Sequence, residues 1–524
     1  MKEYLNLKEI LMKLTDNEKV DLFNSIEYIR RNDFSILIKA IIDNPEIHLS
    51  DIRNLYFKNE KINALRTKVK KILHLIDDLL LKHKFFVELP IQYDRTYHLI
   101  ELKKKLLLAE ILFIRGLSLL AVDYIDKIIS KANKFEFFDI VAACKKSKLY
   151  FLIRRIEGQL IEKLSDEIKE YQLKNTLFEK ARSYYYKSVL GSPAYRAKFN
   201  TEENLKRILN ELEEDFKFTK SFRIFNYALM IDVANTNCHT NPIVYEKKYK
   251  KILQLQKNYA CLNEPIQIST TLLNLARANI YNYNFAKAIE LIRNAKPQLI
   301  ASPLNKAIVI EQQFLTLYFF GQKYMPYFQK LDSFVWEGIL KNLNADKIRY
   351  YQACIHFIDG KFTDSLFVLS DLPHLNKHKD DWNVAIRILR VLCLIELDKT
   401  DETDLEIESL RKHVERVKRE LRVDPRAERI VKCLVSLSQH SYNYKKLLKS
   451  HAKHVDALTS AEIDMRWKIL SPEMIVFHEW LLAKLDSKPY DHVQVMVKQK
   501  KRFDEEFSKA FLPLEQDADT IESL

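Results

Sequence analysis

The chain has 524 residues, of which only 6 are glycine and 13 proline, against usual shares of about 7% and 5%. Hairpin turns and phosphate-cradling loops consume glycine, because φ > 0 is unstrained only there; a large β-protein and a doubly wound nucleotide enzyme are therefore excluded. Hydrophobic residues make up 47% and the formal net charge is +14, which excludes wholesale disorder and leaves a mild bias toward acidic partners.

The opening stretch, residues 1–14, breaks its apolar runs with charges every few positions and has no signal-peptide core, so the expected address is cytoplasmic. Residues 1–90 are expected to form a small helical or winged-helix-like N-terminal cap. Short helices run to Ser50, and a long helix is predicted over 62–80, where Ile62, Leu65, Val69, Ile72, Leu73, Ile76, Leu79 and Leu80 recur at spacings of three and four. Lys61, Arg66, Lys68 and Lys70 fall off that stripe, on the face a winged helix would offer to a DNA major groove. An extended stretch is expected at residues 85–87.

Residues 91–510 carry helical periodicity broken by proline, as at Asn44-Pro45 and Leu89-Pro90 earlier and at Pro193, Pro242, Pro265, Pro373, Asp424-Pro425 and Ser471-Pro472 here. About 25 helices are expected, many paired as hairpins, with Asp424 and Ser471 acting as N-caps. The most apolar run, 106–122, contains Glu110 and Arg115 and is predicted to be a buried helix, leaving no transmembrane segment. Self-similarity is the informative signal. Segments beginning at Asn284, Lys323 and Lys361 line up, and their aromatics Phe285, Tyr324 and Phe362 recur after 39 and 38 residues. Small residues Ala276, Ala288 and Ala295 flank the first copy, Gly321 and Gly360 precede the other two, and Ala109, Gly116, Ala121 and Ile125 form a weaker copy upstream.

These offsets resemble a degenerate tetratricopeptide repeat, with a period longer than the family's usual one and its terminal proline displaced or absent. The resemblance implies an all-α α-solenoid of stacked helical hairpins whose first helices line a groove. Each hairpin exposes an apolar face until a neighbour covers it, so stacking is physically required. A second resemblance, carried by residues 14–18, 65–80, 386–411 and 479–485, is to large bacterial helical-repeat proteins; it implies the same fold and carries over no site. The tail, residues 511–524, is acidic, lacks an apolar stripe and is read as disordered.

Phosphate-loop, dinucleotide, nucleophile-elbow and zinc-protease motifs are all missing. The six cysteines are scattered, which argues for free thiols and not for a zinc knuckle or disulfide framework. His374 with His378, and His451 with His454, have helical spacing but polar, lysine-containing surroundings, and are read as solvated. Cys238-His239 lacks a partner acid. No catalytic, cofactor or metal residue is therefore expected. Basic stretches at 180–198, 245–251 and 411–429 interleave with tyrosines or glutamates.

Two functions follow. The first is a non-enzymatic protein-binding scaffold or adaptor, whose groove would take a protein or peptide through Asn274, Arg277, Tyr281, Gln312, Thr316, Lys347 and Tyr350. The alternative is a nucleic-acid-associated regulator, with contacts from Lys61, Arg66, Lys68, Lys70, Arg416, Arg419 and Arg422.

Overall fold

A computed structural model describes residues 2–14, 16–82, 94–152, 158–299, 302–340, 343–370, 372, 380–420, 424–460, 462 and 465–510. Among them the chain is all-α: 25 α-helices and one π-helical turn, Tyr186–Leu190, with no strand. None of these helices is long and apolar enough to cross a membrane. Residues 85–87, His374, His378, Arg422 and the acidic tail lie outside the described residues.

The chain divides into two compact units, Met1–Ile91 and Gln92–Leu524. The first holds α1 (Lys2–Lys13), α2 (Asp16–Tyr28), α3 (Asn32–Asp43), α4 (Leu49–Tyr56) and α5 (Ile62–Lys82). The stripe read from α5 is its core face, for Leu65, Val69, Ile72 and Ile76 pack against Leu7, Leu11, Leu22, Ile26 and Leu37. Asp33 fixes this bundle electrostatically. Both its oxygens take hydrogen bonds from Arg31 at 2.9 Å, and Lys68 of α5 pairs with it at 3.1 Å. Those bonds hold the Asp33 carboxyl down to about 2.

The second unit is built from successive helical hairpins. α6 (Asp94–Ile114), α7 (Ser118–Lys134), α8 (Phe138–Leu152) and α9 (Gly158–Tyr185) come first, then α10 (Pro193–Phe199), α11 (Glu202–Thr219), α12 (Phe222–Ala234) and α13 (Pro242–Asn258). Five pairs follow: α14 (Pro265–Tyr281) with α15 (Phe285–Leu299), α16 (Pro303–Phe320) with α17 (Met325–Trp336), α18 (Leu343–Ile358) with α19 (Phe362–Ser370), α20 (Asp380–Glu396) with α21 (Thr400–Glu420), and α22 (Pro425–Gln439) with α23 (Tyr444–Thr459). Each turn is closed the same way. One residue takes left-handed φ, and the next donates its N–H to the carbonyl five residues back, at 2.8–3.1 Å: Asn284 to Asn279, Gln322 to Leu317, Lys361 to His356, Lys399 to Leu394 and Tyr442 to Leu437. This satisfies a carbonyl the helix end would otherwise orphan. The left-handed residues Tyr283, Gly321, Gly360 and Asp398 recur 38, 39 and 38 residues apart. Fully buried Ala276, Ala288 and Ala295 let α14 and α15 approach closely.

After α23 the chain does not form another hairpin. Residues 465–476 run irregularly into α24 (Phe477–Leu485) and α25 (His492–Ala510), and this arm crosses the first helices of the preceding pairs. Tyr318 donates to the Met474 carbonyl (3.3 Å), Tyr350 to that of Pro472 (2.7 Å), and Trp480 Nε1 to Glu396 (2.7 Å). Its anchor is Arg426, 3% exposed at the start of α22. All five of its N–H groups are spent: two on Glu473, one each on the carbonyls of Leu458 and Met465, and one on His478 Nδ1.

Two local expectations fail. Asp424 does cap α22, accepting from the Arg426 N–H at 2.9 Å, but Ser471-Pro472 starts no helix; Pro472 instead presents its carbonyl to Tyr350. The run 106–122 is not a buried helix. It is split between α6 and α7 at Gly116 (φ 83°), where Ala109, Ala121 and Ile125 are buried but Ile114 and Leu119 are 82% and 73% exposed. α6–α7 is the first hairpin of its unit, so no earlier hairpin of that unit covers this side.

Candidate functional site

The residues predicted to line the groove divide into two sets. Asn274 and Arg277 on α14, Gln312 on α16 and Lys347 on α18 keep solvent access and are brought together. Gln312 Nε2 donates to the Leu273 carbonyl at 3.3 Å, beside Asn274. Lys347 pairs with Glu311 at 2.5 Å, and Tyr351 donates to the same carboxylate at 2.9 Å. The Lys347 ammonium also sits 5.6 Å from the Tyr351 ring centre and 5.5 Å from that of Trp382, within the range of cation–π attraction.

Arg277 is the one cation of this face without a carboxylate partner among the described residues. It is solvent-accessible, yet its guanidinium is crowded by Tyr281, Tyr245 and Cys238. Burial lowers its pKa, and its tyrosine neighbours more than offset that, so its net pKa rises and it stays charged. Its field reaches Tyr351 on α18 as well.

The other three predicted residues do not reach the groove. Thr316 is fully buried and bonds back to the Gln312 carbonyl at 2.6 Å. Tyr281 is 7% exposed, packed edge-on to His239 and Tyr245. Tyr350 is 2% exposed because the C-terminal arm lies on it. Sequence reading missed Glu311 and Trp382, which are partly exposed beside Lys347, while Tyr351 beneath them is as buried as Tyr350.

The basic clusters are largely consumed by neighbours. Lys68 is held between Asp33 and Glu60 (2.6 Å) over the Phe57 ring, and Lys70 lies 3.5 Å from Glu3. Lys61 and Arg66 remain exposed. Arg416 is exposed and touches His413 at 3.0 Å; of the Arg419 side chain nothing is described. Arg411 pairs with Glu408 and Glu415, Lys418 with Glu428, and Lys180 with Asp215.

No known protein family and no curated protein matches this sequence. The chemistry of the candidate groups must therefore be read from their surroundings. All six cysteines are free and five are buried; burial pushes Cys144, Cys393 and Cys433 up to about 12, which removes the reactive thiolate at neutral pH. His451 and His454 stack 5.5 Å apart, but their Nδ1 atoms face Ser436 and Arg429. Among the described residues no three histidine, cysteine, aspartate or glutamate side chains converge as metal ligands.

Proposed function

We propose that the second unit is an α-solenoid of stacked hairpins, tetratricopeptide-like in plan, and that it serves as a non-enzymatic scaffold or adaptor. The recurrence of the left-handed turn every 38 or 39 residues supports the stacking, and so does the packing of α14 on α16, α18 on α20 and α20 on α22. Residues 1–91 are then a helical N-terminal module. The binding face is the one shared by Asn274, Arg277, Gln312, Lys347 and Trp382, and the partner is a protein or peptide segment.

Arg277 carries this reading. A guanidinium left without a carboxylate among the described residues, with Tyr281 and Tyr245 as its neighbours on a shared helical face, is placed to bind an acidic or carbonyl-rich chain. The test is capture from the native cell by the full chain and by an Arg277→Glu/Lys347→Glu form with unchanged far-UV circular dichroism. Partners held by the first and lost by the second support the face; retention of every partner by the charge-reversed form rejects it.

A DNA-associated role for the N-terminal module rests on Lys61 and Arg66, which are exposed on α5 and have no carboxylate partner among the described residues. Two free cations are a small electrostatic footprint, and the absence of a duplex-DNA shift at low salt disposes of this second reading.

A further inference from the structure

A cavity of about 340 Å³ lies beyond Tyr281 from the Arg277 end of the face just described. The His239 loop, the end of α14, residues 466–469 of the C-terminal arm and α25 enclose it. Tyr281, Tyr283, Trp467 and Phe503 give it flat walls, with Tyr283 and Phe503 5.1 Å apart centre to centre. Arg466, Lys468 and Arg502 bring three cations to it. Arg466 is matched by Glu506 at 2.6 Å, whereas Lys468 is 3.8 Å from its nearest acid, Asp424. Its volume far exceeds the roughly 10–15 Å³ that holds one water.

Its polar end has one hydrogen-bond acceptor too few. Arginine only donates, so the contact of Arg426 with His478 Nδ1 at 2.9 Å obliges that nitrogen to accept. The neutral imidazole then carries its hydrogen on Nε2. That N–H, on a side chain 2% exposed, faces Arg502 Nη1 at 3.0 Å, donor against donor. The nearest carboxylate oxygen, Oε1 of Glu479, is 3.7 Å away, beyond hydrogen-bond reach. That oxygen already takes Arg502 at 3.2 Å and Gln499 at 3.3 Å. A buried donor left this way destabilises the fold unless an acceptor reaches it, and both donors line the same cavity. Elsewhere on the lining, which also carries Glu505 and Glu506, burial reinforced by Lys468, Arg466 and Arg277 pushes His239 down to about 4.

We propose that this cavity binds a small oxyanion, a phosphate or a carboxylate, carried on a flat apolar body, with the oxyanion seated between His478 Nε2 and Arg502 and the body between Trp467 and Phe503. This site adjoins the Arg277 end of the α14–α16–α18 face through Tyr281 and His239, but its donors, His478 and Arg502, belong to no part of that face.

The full chain titrated with phenyl phosphate, benzoate and inorganic phosphate, followed by calorimetry and by tryptophan fluorescence, tests it. Saturable binding of phenyl phosphate or benzoate is expected, and which of the two binds distinguishes phosphate from carboxylate. Arg502→Gln, at a partly exposed position, should weaken that binding about ten- to a hundredfold with far-UV circular dichroism unchanged, since the glutamine amide can still donate to Glu479. Phe503→Leu should weaken the aromatic ligands and leave inorganic phosphate as it was. No saturable binding at millimolar ligand, or affinity unchanged in Arg502→Gln, overturns the assignment.

Discussion

Arg426 and Glu473 form a two-pronged ion pair, Nε to Oε2 at 2.6 Å and Nη2 to Oε1 at 2.9 Å, which ties the first turn of α22 to the arm 47 residues later. The pair is nearly dry, with the Arg426 and Glu473 side chains 4% and 15% exposed. Removing one partner from such a pair strands the other in low dielectric, at a cost of about 3–5 kcal/mol. Arg426→Met should lower the unfolding free energy by that much in a urea titration. Arg426→Met/Glu473→Met should recover part of the loss, because the stranded carboxylate is gone. A double variant no more stable than the single one would show that the lost bonds to the carbonyls of Leu458 and Met465, and not the stranded charge, dominate.

The hairpin turns allow a matched comparison. Gly321 and Gly360 have φ of 69° and 73° and occupy equivalent places in consecutive hairpins. An L-residue at either costs about 1–2 kcal/mol in backbone strain. A Cβ at Gly360 meets open space, whereas one at Gly321 would lie 3.0 Å from a Val493 methyl carbon on α25. Gly321→Ala should therefore be the more destabilising of the two by thermal melt, and Gly321→Ala/Val493→Ala should bring it back toward Gly360→Ala. Equal losses in the two single variants would mean that α25 yields freely.

This comparison also shows what the sequence could reveal. Helices were legible from apolar spacing, and three hairpins from Phe285, Tyr324 and Phe362. The next was not, because Asp398 takes φ 54° without a glycine and Thr400 stands where the aromatic is expected. Register slipped for a related reason. Asn274, Gln312 and Tyr351 each lie nine residues ahead of the left-handed turn residue, but Tyr324 lies three after Gly321 while Phe285 and Phe362 lie two after theirs. Counting from the aromatics therefore selects Tyr350, one residue out of register with Asn274 and Gln312; both Tyr350 and Tyr351 are buried. The arm over Tyr350 and the pair Arg426–Glu473 join distant segments, and periodicity holds no information about such contacts.

Glu136 is a helix cap supplied from another hairpin. It sits at the α7–α8 turn with φ 53°, and its carboxylate accepts from Ser221 Oγ (2.6 Å) and from the N–H groups of Phe222 (2.9 Å) and Arg223 (3.2 Å), at the start of α12. A carboxylate there satisfies orphan donors and complements the helix dipole. Glu136→Ala leaves two buried N–H groups without an acceptor and should cost about 2–4 kcal/mol in a denaturant titration. Glu136→Gln keeps one acceptor and should lose less. An alanine variant within experimental error of the parent would show that water replaces the carboxylate.

Three buried histidines dominate the acid response, with the more exposed His454 shifted the same way by burial and Arg429. Burial and nearby cations push His239 to about 4 and His478 well below its ordinary value, and burial pushes His492 to about 4. A folded-state pKa below the unfolded one means that the unfolded chain takes up protons first. The stabilisation these residues provide is thus complete above pH 6.5, the ordinary histidine value, and is lost as pH falls toward 4. Carboxylates held low, such as Asp33 at about 2, keep their stabilising charge through that window and do not account for a loss within it. The urea midpoint should fall steadily from pH 7 to pH 4.5. His492→Gln should flatten the decline, since it removes one of the three protons taken up on unfolding. A midpoint that holds constant or rises over the same interval would mean that the three imidazoles reach solvent and titrate alike in both states.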